Sequence, residues 1–216
     1  MKLMYLTRME LDTGKRNTMI ALGSPQKLHG AIESSFDSSE RKRKLWRIDH
    51  LGDRTYLLLL SEDKPDLSAA VAQFGVSGVE NGFETRDYSR LLERIENGGV
   101  WRFKLTANPT ISTSEKCKSG ERGNVKAHIS DKYQVKWLLD RAEKHGFAID
   151  ENELCVTGVK WYIFRKGAER NRVSILSVTY EGILKVTDKD KFCNTLINGI
   201  GREKAYGLGM LTVVKG

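Results

Sequence analysis

Residues 45–60 read LWRIDHLGDRTYLLLL, two apolar runs separated by one turn signal. Leu45 to Leu51 and Tyr56 to Leu60 are rich in apolar and β-favouring residues, which predicts two strands. Gly52-Asp53 lies between them, and both residue types accept the backbone angles of tight turns. The stretch therefore predicts a β-hairpin.

A helix is predicted on each side of this hairpin. Ser24-Pro25 resembles a helix start, because serine can cap free amides and proline fits the first helical position. The apolar residues that follow recur every four positions, as on one face of a helix, at Leu28, Ile32 and Phe36. After the hairpin, Pro65-Asp66 opens a second helix that continues to about Phe74.

Two outer strands complete this first unit. Leu3 to Leu11 precedes the first helix and Phe83 to Tyr88 follows the second, so the element order is β-α-β-β-α-β. Residues 89–99 are polar and end in Gly98-Gly99, which predicts the boundary between two halves of the chain.

The second half begins with the same elements. Val100 to Leu105 alternates apolar and polar residues, as a half-buried strand does. Residues 110–127 are rich in Ser, Lys and Gly, which predicts an exposed loop. Ser130 then predicts the start of a helix that ends near Gly146.

The rest of the second half supplies three strands and a helix. Val156 to Phe164 and Val173 to Val186 are predicted strands, joined through Arg165-Lys166-Gly167. Thr187 to Asp190 has the spacing of a capping box and starts the last helix. Gly207 to Val214 is the last predicted strand.

Both halves thus have one element order, β-α-β-β-α-β. The sequence therefore predicts an α+β fold of two tandem ferredoxin-like, or RRM-like, βαββαβ domains. The predicted domains are residues 1–90 and residues 98–216.

The chain of 216 residues carries a net charge of +8. Each Lys or Arg that meets a phosphate releases a counterion, so such a surplus favours a polyanionic partner such as a nucleic acid. Charge alone also leaves membranes and acidic proteins open as partners. Basic residues cluster at Arg41-Lys42-Arg43-Lys44, in the loop at 110–127 and at Arg165-Lys166.

Three cysteines, Cys117, Cys155 and Cys193, lie far apart and form no CxxC pair, which argues against a disulfide framework and a zinc site. No carboxylates or histidines have metal-ligand spacing, so neither a metal nor a cofactor is expected. Met1 to Arg8 has no long apolar region, and no stretch approaches the ~20 apolar residues that span a bilayer. We therefore expect a cytoplasmic protein that does not contact a membrane.

The most informative stretch for function is GIGREKAYGLG at residues 199–209. Glycine lets a backbone approach a ligand closely, so free amides can face a phosphate. A dinucleotide fingerprint would need glycine at Lys204, and a P-loop would need Gly-Lys followed by Ser or Thr. The alternative is a tight connection whose glycines are structural.

This stretch, Gly-h-Gly-x5-Gly-h-Gly where h is apolar, resembles the glycine-rich loop of the CasE family. These are the CRISPR repeat-processing endoribonucleases of the type I-E Cascade complex. Other stretches are similar to the family in order and spacing, so the resemblance covers nearly the whole chain. They are Met4 to Thr7, Gln26 to His29, Phe103 to Pro109, Trp137-Leu138 and Tyr180 to Leu184.

The resemblance implies a catalytic histidine early in the first helix, which is His29 here. It implies metal-independent cleavage of precursor RNA within the repeat hairpin, leaving a 2′,3′-cyclic phosphate and a 5′-hydroxyl. Where the family often has tyrosine this chain has Gln26, which we expect to position a group. Thr106 replaces a family arginine, which removes one possible RNA contact.

The basic clusters and the resemblance together indicate where RNA and protein partners bind. The predicted RNA-binding residues lie at the hairpin tip, in the long basic loop and in the glycine-rich loop: Arg165, Lys166, Lys116, Lys118, Arg122, Lys126, Gly199, Gly201, Arg202, Lys204, Gly207 and Gly209. The expected partners are the repeat hairpin of CRISPR precursor RNA and the other Cascade subunits.

Two alternatives stay open. A non-catalytic RNA-hairpin-binding subunit would have the same fold, with His29 as a structural residue. A protein–protein scaffold would use the same sheets without binding RNA.

Overall fold

The computed structural model describes residues 3–37, 42–78, 82–113, 124–166 and 171–216, without the side chains of residues 113, 124, 166 and 171. The first half contains β1 (Tyr5–Leu11), α1 (Arg16–Gly23), α2 (Pro25–Glu33), β2 (Leu45–Leu51), β3 (Arg54–Ser61), α3 (Ser68–Phe74), β4 (Phe83–Asp87) and α4 (Ser89–Glu93). None of the helices in the described ranges has the length and apolar character of a membrane-spanning helix.

The second half has a longer strand pair and short 3₁₀ turns. Its elements are β5 (Val100–Ala107), β6 (Thr110–Thr113), β7 (Asn124–Ala127), α5 (Asp131–Ala142), β8 (Phe147–Ala148), β9 (Leu154–Lys166), β10 (Asn171–Val186), α6 (Lys189–Asn198) and β11 (Met210–Lys215). One 3₁₀ turn, Lys204–Tyr206, lies in the glycine-rich loop between α6 and β11.

Two large antiparallel sheets contain most of these strands, and β6 and β7 form a separate antiparallel pair. The first has the strand order β2-β3-β1-β4. The second has β11-β5-β10, and β9 and β8 pair with different parts of β10. In both sheets the first and third long strands of the unit lie at the centre, which is the ferredoxin-like arrangement. The predicted tandem ferredoxin-like α+β fold is confirmed.

Several local predictions were wrong in detail. Residues 89–99, the predicted boundary between the halves, include the unpredicted helix α4 (Ser89–Glu93) and bury Leu92 and Ile95 completely. Residues 110–127 include the paired strands β6 and β7 instead of only loop. The sequence also missed α1, in which Met19 and Ile20 are exposed and no apolar stripe forms.

Three element starts also differ from the prediction. The N-cap of α6 is Asp188 instead of Thr187, and its carboxylate accepts a hydrogen bond from the Lys191 amide. The helix α3 begins at Ser68, three residues after the proline. The strand β11 begins at Met210, because Gly207 and Gly209 have positive φ and cannot extend it. The domain limits at 1–90 and 98–216 stay a prediction.

The two halves share one apolar core. The larger cluster of buried side chains includes Leu45, Leu60 and Leu92 from the first half and Leu105 and Leu211 from the second. A second cluster lies between the first sheet and its helices and includes Leu28, Ile32, Trp46 and Leu59. The halves are therefore packed against each other instead of being joined by a linker alone.

Arg47 on β2 makes the main polar contact between the halves and is 2% exposed. Its guanidinium donates twice to the Asp49 carboxylate, at 2.8 Å each. It also donates to the Lys104 and Met210 carbonyls at 2.8 and 3.0 Å and to the Thr212 hydroxyl at 2.8 Å. All five guanidinium hydrogens can thus be used. The contact fixes β2 against β5 and β11.

Burial and the Arg47 cation shift the pKa of the Asp49 carboxyl group in opposite directions. Burial raises its pKa, but the hydrogen bonds and charge of Arg47, followed by those of Lys104, outweigh burial, and the net pKa lies below the ordinary value. The folded state therefore favours ionised Asp49. Its contribution to stability is present above the unfolded pKa and is lost as the pH falls through the folded one.

Changing Arg47 to methionine should lower the free energy of unfolding by about 3–5 kcal/mol near neutral pH, because Asp49 then keeps a buried charge without its main partner. The deficit should shrink as the pH falls, because protonation of Asp49 removes the buried charge that the variant leaves without Arg47. Urea unfolding across this pH range measures both effects.

The matched control is Arg54→Met on β3. Arg54 has an exposed side chain, 3.6 Å from the Glu10 carboxylate, and such surface pairs contribute little. An equal loss of stability in both variants would show that the buried pair does not fix the two halves.

Candidate active site

His29 lies on α2, whose buried residues Leu28 and Ile32 hold the helix against the first sheet. Its imidazole is 35% exposed, and Nδ1 lies 3.8 Å from a carboxylate oxygen of Glu33, one helical turn later. The ring is thus anchored by the helix and open on one side.

The glycine-rich loop reaches α2 from the second half of the chain. Its Gly209 amide donates to the Thr106 carbonyl and its Ile200 amide to the Gly209 carbonyl, at 2.6 and 2.8 Å. Gly199, Gly201, Gly207 and Gly209 all have positive φ. Glu203 also has positive φ and is the one non-glycine residue in the described ranges that does. The loop therefore has a fixed, tightly folded path.

Trp46 on β2 supports this loop. A Cβ on Gly207 would lie 2.7 Å from the Trp46 ring, so only glycine lets the backbone approach so closely. The Trp46 indole N–H donates to the Ala205 carbonyl at 3.2 Å. These two contacts place Tyr206 beside α2, where its ring meets the His29 ring edge-on with centroids 6.4 Å apart.

Tyr206 is buried and also meets Phe164 edge-on, with centroids 5.1 Å apart. Phe164 lies near the end of β9, close to the hairpin tip. The three rings therefore connect the hairpin, the glycine-rich loop and the histidine. Edge-to-face contacts of this kind favour one relative orientation of the rings.

A cleft of about 800 Å³ opens beside these rings. His29, Trp46, Asn198 and Ala205 line part of this cleft. Four cations and one carboxylate complete its lining: Lys42, Arg43, Lys44, Lys204 and Glu33. Lys44 pairs with Glu33 at 2.8 Å, and Lys42 pairs with Asp63 at 2.9 Å. The excess of cations makes the cleft suited to a phosphate.

Lys204 is half-buried in this cleft. Its burial, followed by the nearby charge of Arg43, lowers its pKa below the ordinary value for lysine. A lysine in this state exchanges its proton more readily than a fully solvated one.

Gln26 occupies a neighbouring pocket of about 520 Å³ instead of the histidine cleft. Arg165 lines the same pocket, with Lys27, Ser34 and Gln73. The side-chain oxygen of Gln26 is buried and has no hydrogen-bond partner among the residues that the structure describes. The structure thus groups Gln26 with the hairpin arginine and His29 with the glycine-rich loop.

The remaining predicted RNA-binding residues divide into three groups. Arg202, Arg165 and Lys126 are exposed. The four glycines of the loop each face protein atoms: a Cβ would meet Leu45 or the Gly209 carbonyl from Gly199, Trp137 from Gly201, Trp46 from Gly207, and Ile200 from Gly209. Lys116, Lys118 and Arg122 lie outside the described residues, as does the side chain of Lys166.

The other three histidines have local partners. His145 contacts the Thr195 hydroxyl at 2.9 Å, and burial followed by nearby cations lowers its pKa. His50 contacts Thr55 at 3.0 Å, and His128 stacks on Tyr133. His29 is thus the histidine that lines the cationic cleft.

Three residues around the site were not predicted from the sequence: Tyr206, Trp46 and Glu33. Glu33 was visible as the residue four positions after His29, which is one turn along a helix. Tyr206 was visible as the aromatic residue of a glycine-rich loop. No local pattern pointed to Trp46, because its partner Ala205 lies 159 residues away in the sequence.

A family model described as CRISPR associated protein matches residues 4–215 of this chain. The chain belongs to this CRISPR-associated protein family. It is 28% identical to the CRISPR-associated endoribonuclease Cse3 of Thermus thermophilus, over 97% of this chain and 99% of that protein.

Solved structures of CRISPR proteins have the same fold. The structure of CRISPR endoribonuclease Cse3 bound to 19-nucleotide RNA matches with a TM-score of 0.80 and 25% identity, over 98% of this chain and 99% of that one. A chain of a CRISPR RNA-guided surveillance complex matches with a TM-score of 0.61 and 21% identity, over 98% and 99% of the two chains.

Changing Gly207 to valine in this CRISPR-associated protein should lower the free energy of unfolding. A side chain held at positive φ costs about 1–3 kcal/mol, and here it would also meet the Trp46 ring. Thermal or urea unfolding measures the change.

Gly23→Ala is the matched control, because Gly23 has no positive φ and a Cβ there meets no atom within 4 Å. If Gly207→Val unfolds at the same urea concentration as this control, the contact with Trp46 does not constrain the loop.

Proposed function

We propose that this CRISPR-associated protein is an endoribonuclease that cleaves CRISPR precursor RNA within the repeat hairpin to give mature guide RNAs. The observation that carries the proposal is the partly exposed imidazole of His29 in a cleft lined by four cations. The name of the Thermus thermophilus relative, an endoribonuclease, and the RNA bound to the similar solved structure support it.

The substrate fits the charge and shape of this face. An RNA stem is recognised by its shape and backbone, which suits several cationic groups at separate places. The histidine cleft supplies one set of cationic side chains, and the pocket lined by Arg165 and Lys27 supplies a second set. Both pockets border α2, so one RNA backbone passing over this helix can meet them in succession.

The proposed reaction uses the nucleophile that RNA itself carries. The neutral imidazole of His29 takes the proton from a ribose 2′-hydroxyl, and the 2′-oxygen attacks the adjacent phosphorus. The bond from phosphorus to the 5′-oxygen breaks on the opposite side. Cations around the cleft stabilise the negative charge that accumulates on the phosphorane.

The proposed products are a 2′,3′-cyclic phosphate and a 5′-hydroxyl. This chemistry needs a base, an acid and cations, and it does not need a metal ion, because the nucleophile is a hydroxyl that imidazole can deprotonate at neutral pH. Glu33 can stabilise the imidazolium that forms, since its carboxylate lies 3.8 Å from Nδ1.

Gln26 has a different part in this proposal. Its amide can donate and accept hydrogen bonds but does not titrate. In the pocket shared with Arg165, it can position the RNA strand on one side of the cut. Proton transfer is then left to the neighbouring cleft that His29 lines.

The proposal also includes the protein partners and the cellular compartment of this protein. A chain of a CRISPR RNA-guided surveillance complex has this fold, which supports assembly of this protein with other Cascade subunits around its RNA. Its substrate is a transcript, and we place the protein in the cytoplasm with it.

Single-turnover cleavage of a labelled repeat hairpin should proceed at nearly the same rate with and without EDTA. The upstream fragment should resist polyadenylation until its cyclic phosphate is opened. A strict requirement for magnesium would overturn the mechanism. Retention of intact RNA under all conditions would instead indicate a non-catalytic binding subunit.

Changing His29 to alanine should lower the single-turnover rate by ~10²–10⁴, the usual contribution of a positioned acid–base group. Affinity for the hairpin should stay close to that of the wild type, because the ring makes no charge contact with a neutral 2′-hydroxyl. Gln26→Ala, on the same helix, is the matched control and should lose much less rate. Equal losses in both variants would contradict this division of roles.

A further inference from the structure

The proposed cleavage includes two proton transfers, and only the first has been assigned to a residue. The 2′-oxygen gives its proton to His29, but the 5′-oxygen must gain a proton as its bond to phosphorus breaks. Gln26 cannot supply it, because an amide does not titrate and because it lines the neighbouring pocket. The donor should therefore be a second titratable group in the cleft of His29.

The four described cations of this cleft are not equivalent. Lys44 is bound to Glu33 and lies over the Phe36 ring, and Lys42 is bound to Asp63. Arg43 has a guanidinium, which does not give up its proton in proteins. Lys204 has no carboxylate within 4.0 Å among the residues that the structure describes, although it is half-buried.

The loop holds Lys204 in a defined position. Lys204 is the first residue of the 3₁₀ turn and follows Glu203, whose φ of 60° turns the chain at that point. A Cβ on Gly209 would lie 3.2 Å from Lys204 Cγ, so the glycine leaves room for the lysine stem. Two residues later, Tyr206 contacts the His29 ring.

The groups that face Lys204 favour a readily released proton. Lys204 shares the cleft with Arg43, Lys42, Lys44, His29 and Glu33, of which Glu33 is already bound to Lys44. Its charge also acts on His145, which lowers the pKa of that imidazole. Burial and the charge of Arg43 lower its pKa, which brings a lysine closer to the range useful for acid catalysis.

We propose that Lys204 is the general acid of the cleavage reaction, donating a proton from Nζ to the leaving 5′-oxygen. The inference rests on the proposed endoribonuclease function and adds a catalytic residue to it. The 2′-oxygen–phosphorus bond forms, the phosphorus–5′-oxygen bond breaks, His29 gains one proton and Lys204 loses one. Exchange with water then returns His29 to the neutral form and Lys204 to the charged form.

Replacing the 5′-bridging oxygen of the scissile phosphate with sulfur tests the assignment. A thiolate leaves without protonation, so an enzyme that lacks its general acid should cleave the sulfur substrate well. Lys204→Met should slow single-turnover cleavage of the oxygen substrate by ~10²–10⁴ and should cleave the sulfur substrate at close to the wild-type rate. His29→Ala should be slow on both substrates, because each still needs a base.

Two more variants separate acid catalysis from charge and from folding. Lys204→Arg keeps the positive charge but does not release a proton, so it should also be slow on the oxygen substrate and fast on the sulfur one. Lys136→Met removes an exposed lysine of α5 that pairs with Asp140, and it should behave like the wild type on both. Cleavage of the sulfur substrate itself shows that each Lys204 variant is folded and binds RNA.

The outcomes distinguish a wrong assignment of Lys204 from a wrong endoribonuclease proposal. Equal slowing of both substrates by Lys204→Met, or full activity of Lys204→Arg on the oxygen substrate, would overturn the assignment and leave the endoribonuclease proposal intact. If the wild type cleaves neither substrate, the proposed function fails, and the general acid fails with it.

Discussion

The packing of β2 against the second half of the chain determines where the candidate site can form. Adjacent residues of a strand project to opposite faces, so Trp46 and Arg47 contact different parts of the second half. Trp46 holds the glycine-rich loop through Gly207 and the Ala205 carbonyl. Arg47 holds β5 and β11 through two carbonyls and a hydroxyl. One strand thus fixes both the loop and the sheet from which the loop emerges.

The buried Arg47–Asp49 pair fixes the relative orientation of the two sheets more than it adds to the free energy of unfolding. Burying Arg47 and Asp49 costs desolvation that offsets much of their mutual attraction. A displaced sheet, however, would leave the guanidinium without its carbonyl partners, and a buried charge without partners is strongly unfavourable. The pair therefore penalises other relative positions of the two sheets. His29 and Lys204, which come from different halves, meet in one cleft only in the position that is allowed.

Local sequence patterns predicted the strands and most helices, because their periodicity and turn residues act over a few positions. Local patterns did not predict what tertiary contacts decide, as in residues 89–99, whose polar composition concealed the helix α4 and the buried Leu92 and Ile95. For the site, the family resemblance pointed to His29 and the glycine-rich loop. The resemblance did not show that Gln26 and His29 line different pockets. Residues three apart lie on the same side of a helix, so only the packing around the helix determines which pocket each side chain lines.

The glycines show how one pattern can have two physical causes. From sequence, a glycine-rich loop with basic residues favours backbone amides that bind phosphate. In the structure, a side chain at any of the four positions would meet protein atoms. Steric demands of the fold are therefore sufficient to explain glycine at each of them. The space so created holds the Lys204 stem over Gly209 and brings Tyr206 to the His29 ring. The chemical contribution of the loop then comes from its side chains, and the glycines act by determining where those side chains lie.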